Sequence, residues 1–338
     1  MLKLAQTMYE RIIDRRNRQF DAQKRPIVPV TSPVISIGNI TVGGTGKSPA
    51  VQMVARVLIE QGLHPAIVMR GYRRRSRGLV VVHDGETIRT SVEAAGDEAY
   101  MHATMLGIPV IVSADKVEAA AHAAGMVTST GAACSDVIIV DDGFQHRQLH
   151  RCTDIVLVNQ ETLTTTLLPV GRLREPLTNL RRASIVVCDD AALCTPVRQF
   201  CRADALVVTS RIDMHCAAPT STPIVIVSGI ANPVRMRVSL EGAGYTIAEQ
   251  LAFGDHHRYR TKDLWKIRDA AAANGANVVT TDKDTAKIQQ PDALGELGSA
   301  AVFVAHIRMV IDNARFEQRI LQDITNEDSS NKERREEY

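Results

Sequence analysis

Aromatic residues are scarce, with six Phe, six Tyr and one Trp in 338 residues. The core must therefore rest on Val, Ile, Leu and Ala, and the aromatic platform that single-stranded nucleic acid stacks on is missing. Nucleic acid is not an expected partner. The six cysteines (Cys134, Cys152, Cys188, Cys194, Cys201 and Cys216) show no CxxC spacing, which argues against a zinc site and for reduced thiols in a cytosolic protein. No window holds the roughly 18 consecutive apolar residues of a spanning helix. The first twenty residues carry five basic ones without a following apolar run, so a secretory signal is not expected either. Neither sign of charge dominates, the formal net charge being +2. At 45% hydrophobic and 23% charged residues, the chain is ordinary globular material rather than disordered.

Short runs rich in Val and Ile alternate with helix-length, Ala-rich segments. Residues 34 to 38, 65 to 69, 109 to 112, 136 to 140 and 154 to 158 are strand-like. A second cycle begins near Pro223, with strands at 224 to 228, 246 to 251, 277 to 280 and 301 to 305 and helices around 232 to 242, 261 to 273 and 313 to 324. This is the pattern of βαβ units around parallel sheets. It predicts a core over residues 1–222, a second and smaller α/β lobe over 223–326 that closes a cleft, and a disordered tail over 327–338. At about 100° per residue, Leu2, Leu4, Ala5, Met8, Tyr9, Ile12 and Ile13 share one half of an opening helix, with Lys3, Arg11 and Arg18 outside that arc. Such a helix fits either docking on its own domain or lying on a membrane surface.

The strongest local signal is VISIGNITVGGTGKS, Val34 to Ser48. An apolar strand, a Gly-rich turn and Lys47-Ser48 at a helix start are the order that a phosphate cradle requires. Residues Thr41, Val42, Gly43, Gly44, Thr45 and Gly46 would close their backbone amides on phosphate oxygens, with Lys47 reaching the β/γ-phosphates and Ser48 facing Mg²⁺. The strict pattern has Gly where this chain has Thr41. A neighbouring strand ending in Asp141-Asp142 supplies metal-binding acids, and because adjacent residues point to opposite faces only one of the two reaches Mg²⁺ directly. The residues leave open which. ATP is favoured over GTP, since Thr281-Asp282-Lys283-Asp284 has the wrong order for a guanine-reading element. The predicted fold class is thus α/β, a phosphate-loop NTPase-like three-layer α/β/α core with a smaller α/β lobe.

Eight motifs then occur in order: ISIGNITVGGTGKSP, MRGY (Met69 to Tyr72), GDE (Gly96 to Glu98), DDGFQHR (Asp141 to Arg147), LPVGRLREP (Leu168 to Pro176), SGIANP (Ser228 to Pro233), FGDHHRY (Phe253 to Tyr259) and TTDKDTAK (Thr280 to Lys287). Together they resemble the tetraacyldisaccharide 4'-kinase family of lipid A biosynthesis, over roughly residues 5 to 320. The resemblance implies an ATP- and Mg²⁺-dependent kinase. Its acceptor is the 4'-hydroxyl of a tetraacylated glucosamine disaccharide 1-phosphate. It implies that Asp97 and His256 form a dyad taking the hydroxyl proton, that Glu98 joins Ser48, Asp141 and Asp142 at the metal, and that Arg174 and Glu175 lie near the transferred phosphate. Tyr72, Gln145 and His146 are implied to position substrate. Two positions depart from the family pattern: Lys116 stands where Arg is common, reaching phosphate only as a point charge, and Asp282 replaces a Glu. Arg70, Arg73, Arg74, Arg75 and Arg77 form a basic cluster that fits the substrate 1-phosphate, anionic lipid heads or a solvated loop. A lipid acceptor shifts the opening helix toward the membrane reading, giving a monomer peripheral on the cytoplasmic face of the inner membrane. The rival readings are a metallochaperone-like nucleotide switch and an ATP-dependent ligase.

Overall fold

The computed structural model describes residues 2–230, 233–254, 257–288, 296–297 and 301–336. A large sheet is built from β1 (Val34–Asn39), β2 (Pro65–Met69), β3 (Val80–His83), β4 (Val110–Val112), β5 (Val137–Asp141), β6 (Thr153–Val158), β7 (Ile185–Cys188) and β8 (Leu206–Thr209). Their order is β3-β4-β2-β5-β1-β6-β7-β8, all neighbours parallel except β3 with β4. β1, β5 and β6 are buried along their whole length, as expected of parallel strands covered on both faces. Alternation splits them: Ile35, Ile37 and Ile139 enter one core cluster, Val34, Ile138 and Val140 another. Helices Lys47–Glu60 and Asp97–Leu106 contribute Val51, Val54, Ala99 and Ala103 to the first cluster; Lys116–Ala124 contributes Ala119, Ala120 and Ala123 to the second. The three-layer architecture expected from the sequence is the one observed.

A smaller sheet comprises β9 (Arg211–Cys216), β10 (Ile224–Ser228), β11 (Ile247–Ala252), β12 (Asn277–Thr281) and β13 (Val302–Val310) in the order β11-β10-β12-β13-β9. The chain enters this sheet at Arg211 rather than Pro223, because β9 pairs antiparallel with β13. Its half-exposed, polar sequence RIDMHC hides it as an edge strand. The last helix, Ala314–Glu336, returns to the large sheet, where Phe316, Ile320 and Ile324 are buried in the main cluster. It runs through the segment expected to be a disordered tail, its apolar i, i+4, i+8 stripe giving the helix a surface to dock on.

Position follows from topology. After β1 the chain runs outward on one side of the sheet, returns at β5 beside β1, and crosses to β6 on the other side. Ligands in open α/β sheets bind outside the carboxyl ends of strands at such a reversal. Here the loops leaving β1 and β5 stand side by side, with Ile37 in register with Asp141.

Candidate active site

Gly43 has φ +114° and Gly46 φ +86°, left-handed conformations that side chains rarely adopt. A Cβ on Gly43 would also strike the Arg172 guanidinium. Gly46 caps helix Lys47–Glu60 without a side-chain hydrogen bond, so the first-turn amides are left to a ligand. The loop is held from outside: the Val42 amide donates to the Arg172 carbonyl at 2.8 Å, and the Arg174 amide donates to the Ile40 carbonyl at 2.7 Å. Asn39, at the end of β1, organises the interior. Its amide donates to Thr45 Oγ1 at 2.7 Å and Thr41 Oγ1 at 3.2 Å, and its side-chain oxygen accepts from Lys47 Nζ at 3.4 Å and from Arg174. Nothing in the sequence singled out Asn39; the signal available was a polar residue closing an apolar strand just before the glycines.

The two adjacent acids take different environments. Arg174 grips Asp142 with two nitrogens, at 2.9 and 2.7 Å, and Lys47 Nζ lies 3.8 Å away. Burial opposes ionisation of Asp142, but the Arg174 hydrogen bonds and the charges of Lys47, Arg174 and Lys116 outweigh it and bring the carboxyl down to about 2. Asp141 is buried with Oδ1 lacking any partner. Burial, then the negative charges of Glu98 and Asp142, push it up to about 6. A buried carboxylate oxygen without a donor, facing other acids, is the environment that a cation relieves. Among the described residues no group of three or more His, Cys, Asp or Glu forms a closed metal cage. That donor set fits Mg²⁺, which takes one or two carboxylates and otherwise binds water and phosphate oxygens.

The linkage has a definite sign. The Asp141 carboxyl binds its proton more tightly folded than unfolded, so metal-free stability is highest below its ordinary value of 3.8 and falls as pH rises through about 6. Asp141→Asn is therefore expected to stabilise the protein in chelator at pH 7 by about 1–3 kcal/mol, an advantage that vanishes below about pH 4. Urea denaturation across that range checks this; an Asn variant no more stable than wild type at pH 7 would contradict it.

Other expected residues fall into three groups. Gln145 Nε2 donates to the Asn39 carbonyl at 2.9 Å, with its own Oε1 unpartnered, and burial, then the cations Lys116 and Arg151, bring the His146 imidazole down to about 4. Both stand on the loop after β5. Tyr72 is exposed, with the Arg73 guanidinium 5.4 Å over its ring, beyond β2. Asp97 begins helix Asp97–Leu106, its Oδ2 2.5 Å from Lys287 Nζ, which comes from the smaller lobe; Glu98 follows it. His256 lies outside the described residues.

Glu175 and Lys116 differ from expectation. Glu175, implied to sit near the phosphate, is buried at 2% exposure, accepting from Arg182 Nη2 at 2.5 Å and Asn179 Nδ2 at 2.9 Å. Arg174 turns toward Asp142 and its neighbour toward Arg182. Glu175→Ala would strand Arg182, which also covers the Phe144 ring at 4.3 Å, and is expected to cost about 3–5 kcal/mol, with Arg182→Met on top recovering part of the loss in urea melts. Lys116 is buried too, donating to the carbonyls of Asp141 and Asp142 at 2.7 and 2.6 Å. It clamps the left-handed Asp142 (φ +50°) and does not point at phosphate. Arg74 of the basic cluster likewise closes its own loop, donating to the carbonyls of Gly78 and Val112.

A phosphate cradle, a strand-end acid awaiting a cation and an arginine aimed at the same point define a phosphate-loop phosphotransferase. The family model for tetraacyldisaccharide-1-P 4'-kinase matches residues 1–325, and the chain belongs to that family. Similar curated proteins include the tetraacyldisaccharide 4'-kinases of Pelodictyon phaeoclathratiforme, 35% identical over 304 residues covering 84% of this chain and 85% of the relative, and of Aquifex aeolicus, 32% identical over 294 residues covering 83% and 87%. Among solved structures, LpxK from Aquifex aeolicus in complex with ATP superposes with a TM-score of 0.76 at 29% identity, covering 94% of this chain and 97% of that one. The chain is accordingly an ATP-dependent 4'-kinase of lipid A biosynthesis, acting on a hydroxyl group. The switch and ligase readings are not favoured.

Proposed function

We propose that the chain moves the γ-phosphate of ATP to the 4'-hydroxyl of tetraacyldisaccharide 1-phosphate with the following division of labour. Lys47 and the amides of residues 41 to 48 hold the phosphates. Ser48 and Asp141 would hold Mg²⁺, with Glu98 beside them, and the ion would supply neutralisation of phosphate charge. Asp142 does not ligate directly; bound by Arg174, it sets that guanidinium against the phosphoryl oxygens. Asp97 accepts the hydroxyl proton, with His256 as its partner by family resemblance. Gln145, His146 and Tyr72 orient the sugar, and the two lobes close over it. The observation that carries the reading is the pairing of a donorless, buried Asp141 with an Arg-locked Asp142 beside an open phosphate loop. Transfer of labelled γ-phosphate to tetraacyldisaccharide 1-phosphate in mixed micelles tests it. Label released only as free phosphate would return the switch reading.

The acceptor's acyl chains call for an apolar surface, and the first helix, Leu2–Asp21, supplies one. It carries two ridges. Tyr9 packs into the core cluster beside β6 and β7 and donates to the Arg174 carbonyl at 2.9 Å, and Phe20 is buried. About 100° round, Leu4, Met8 and Ile12 are 67%, 57% and 62% exposed, with Arg11 and Arg15 on the same side. Docking and membrane contact are thus faces of one helix. No helix among the described residues is long and apolar enough to cross a membrane. In the proposed reading a monomer makes this contact peripherally, on the cytoplasmic face of the inner membrane. Replacing Leu4, Met8 and Ile12 by Ser is expected to weaken binding to anionic vesicles at least about tenfold, from lost apolar burial, with the melting temperature unchanged. Unchanged vesicle binding would sink this placement.

A further inference from the structure

Lys287 belongs to none of the machinery assigned above, yet its ammonium reaches from the smaller lobe to the proposed acceptor-side carboxylate. Its side chain is 9% exposed and lies between two acids, Asp97 Oδ2 at 2.5 Å and Asp284 Oδ1 at 3.9 Å. A buried ammonium is tolerated only where opposite charges compensate it. Asp284 is anchored in the smaller lobe. Fully buried, its Oδ2 accepts from the Gly229 amide and from Thr281 Oγ1, both at 2.8 Å, which leaves Oδ1 without a hydrogen-bond donor.

The same acid touches the loops around it. A Cβ on Gly229 would stand 3.0 Å from Asp284 Oδ1, 3.3 Å from the Gly254 carbonyl and 3.3 Å from His257 Cβ. Gly229, held by Asp284, is thus the point where the loop after β10 meets Gly254 and His257. Tyr100, Met101 and Met105 on one side and Thr285, Ala286 and His306 on the other line a cavity of about 540 Å³, so packing between the helix of Asp97 and the smaller lobe is incomplete there.

From this geometry we infer that Lys287 is a positioning residue: a strut, footed on Asp284, that fixes Asp97 relative to the smaller lobe when the lobes are together. The inference rests on the reading of Asp97 as proton acceptor. By pairing with Oδ2, the strut restrains the carboxylate and stops the side chain from rotating out of a reactive position. Asp284 thus holds the strut and the Gly229 backbone from one foot.

The test compares wild type, Asp97→Asn, Lys287→Met, Lys287→Arg and the Asp97→Asn/Lys287→Met double variant of the full chain, by steady-state transfer in mixed micelles and by thermal melting. Lys287→Met is expected to lower kcat about 10²-fold, the scale of loss from a misplaced group, with KM for ATP unchanged. Lys287→Arg should recover most of it. The double variant should be slower than Asp97→Asn alone by no more than about twofold, as for groups acting through one another. Full kcat in Lys287→Met while Asp97→Asn is inactive would overturn the strut and leave the proton-acceptor reading standing. Additive losses, or an equal loss in Met and Arg accompanied by lower melting, would also overturn it. Full activity in Asp97→Asn would instead remove the reading beneath it. Should Lys287→Met fail to fold, Asp284→Asn removes the foot with its shape kept and should give the same fall in kcat; an unchanged kcat there overturns the proposal.

Discussion

Asp97→Ala is expected to lower kcat by about 10²–10⁴-fold, the range that a positioned general base contributes, while KM for ATP stays at its wild-type value. A sugar hydroxyl is a poor nucleophile at neutral pH, so an acceptor for its proton must be in place as the phosphoryl group moves. Asp97 stands at the start of helix Asp97–Leu106, whereas Lys47, Thr45 and Asn39 make their hydrogen bonds with one another and with Thr41 and Arg174. Its removal should therefore spare nucleotide binding. Steady-state kinetics with ATP and lipid varied separately, and binding of a non-hydrolysable ATP analogue, distinguish the cases. Weakened analogue binding with kcat retained would move Asp97 to the nucleotide side.

How much of this was legible in the sequence depends on how far each residue's partner lies along the chain. The phosphate loop was, because strand, glycines, Lys47 and Ser48 are contiguous and each obeys a local rule. The helix starts at Lys47 itself. The acids after β5 were legible as a pair but not as individuals: what separates them is Arg174, whose bond to Asp142 spans 32 residues, and a cluster of charges that only folding assembles. Glu175 was misplaced for the same reason. Its motif neighbour does face the site, and nothing in LREP tells that the next side chain turns inward to Arg182. Lys116 looked like a phosphate contact because sequence shows charge and not direction. The edge strand β9 was missed although Ile212, Met214 and Cys216 alternate with Arg211, Asp213 and His215, because a half-exposed strand of six residues is a weak signal beside the buried runs, and the final helix was placed but not its extension beyond residue 326, where the sequence turns polar and charged.

Lys47→Ala is expected to cut turnover by about 10³-fold or more, the loss seen when a donor aimed at developing charge is removed, and to leave the fold intact. Both halves follow from the same contacts. Lys47 Nζ sits 3.4 Å from Asn39 Oδ1 and 3.8 Å from Asp142 Oδ1, contacts too long to lock it into the structure. The ion pair is partly exposed and Asp142 keeps its two-pronged bond to Arg174, so the melting free energy should change by no more than about 0.5 kcal/mol. The helix start does not depend on the side chain either, because Gly46 makes the turn by its backbone alone. Lys47→Arg is expected not to restore turnover: a planar fork is wider than an ammonium, and Asn39 and Asp142, the partners it would need, are already held by Arg174. Transfer assays on both variants, with thermal melts alongside, decide the matter. An Ala variant that turns over normally would take Lys47 out of the phosphate site, and one that melts early would mean that the lysine stabilises the loop instead of serving the nucleotide.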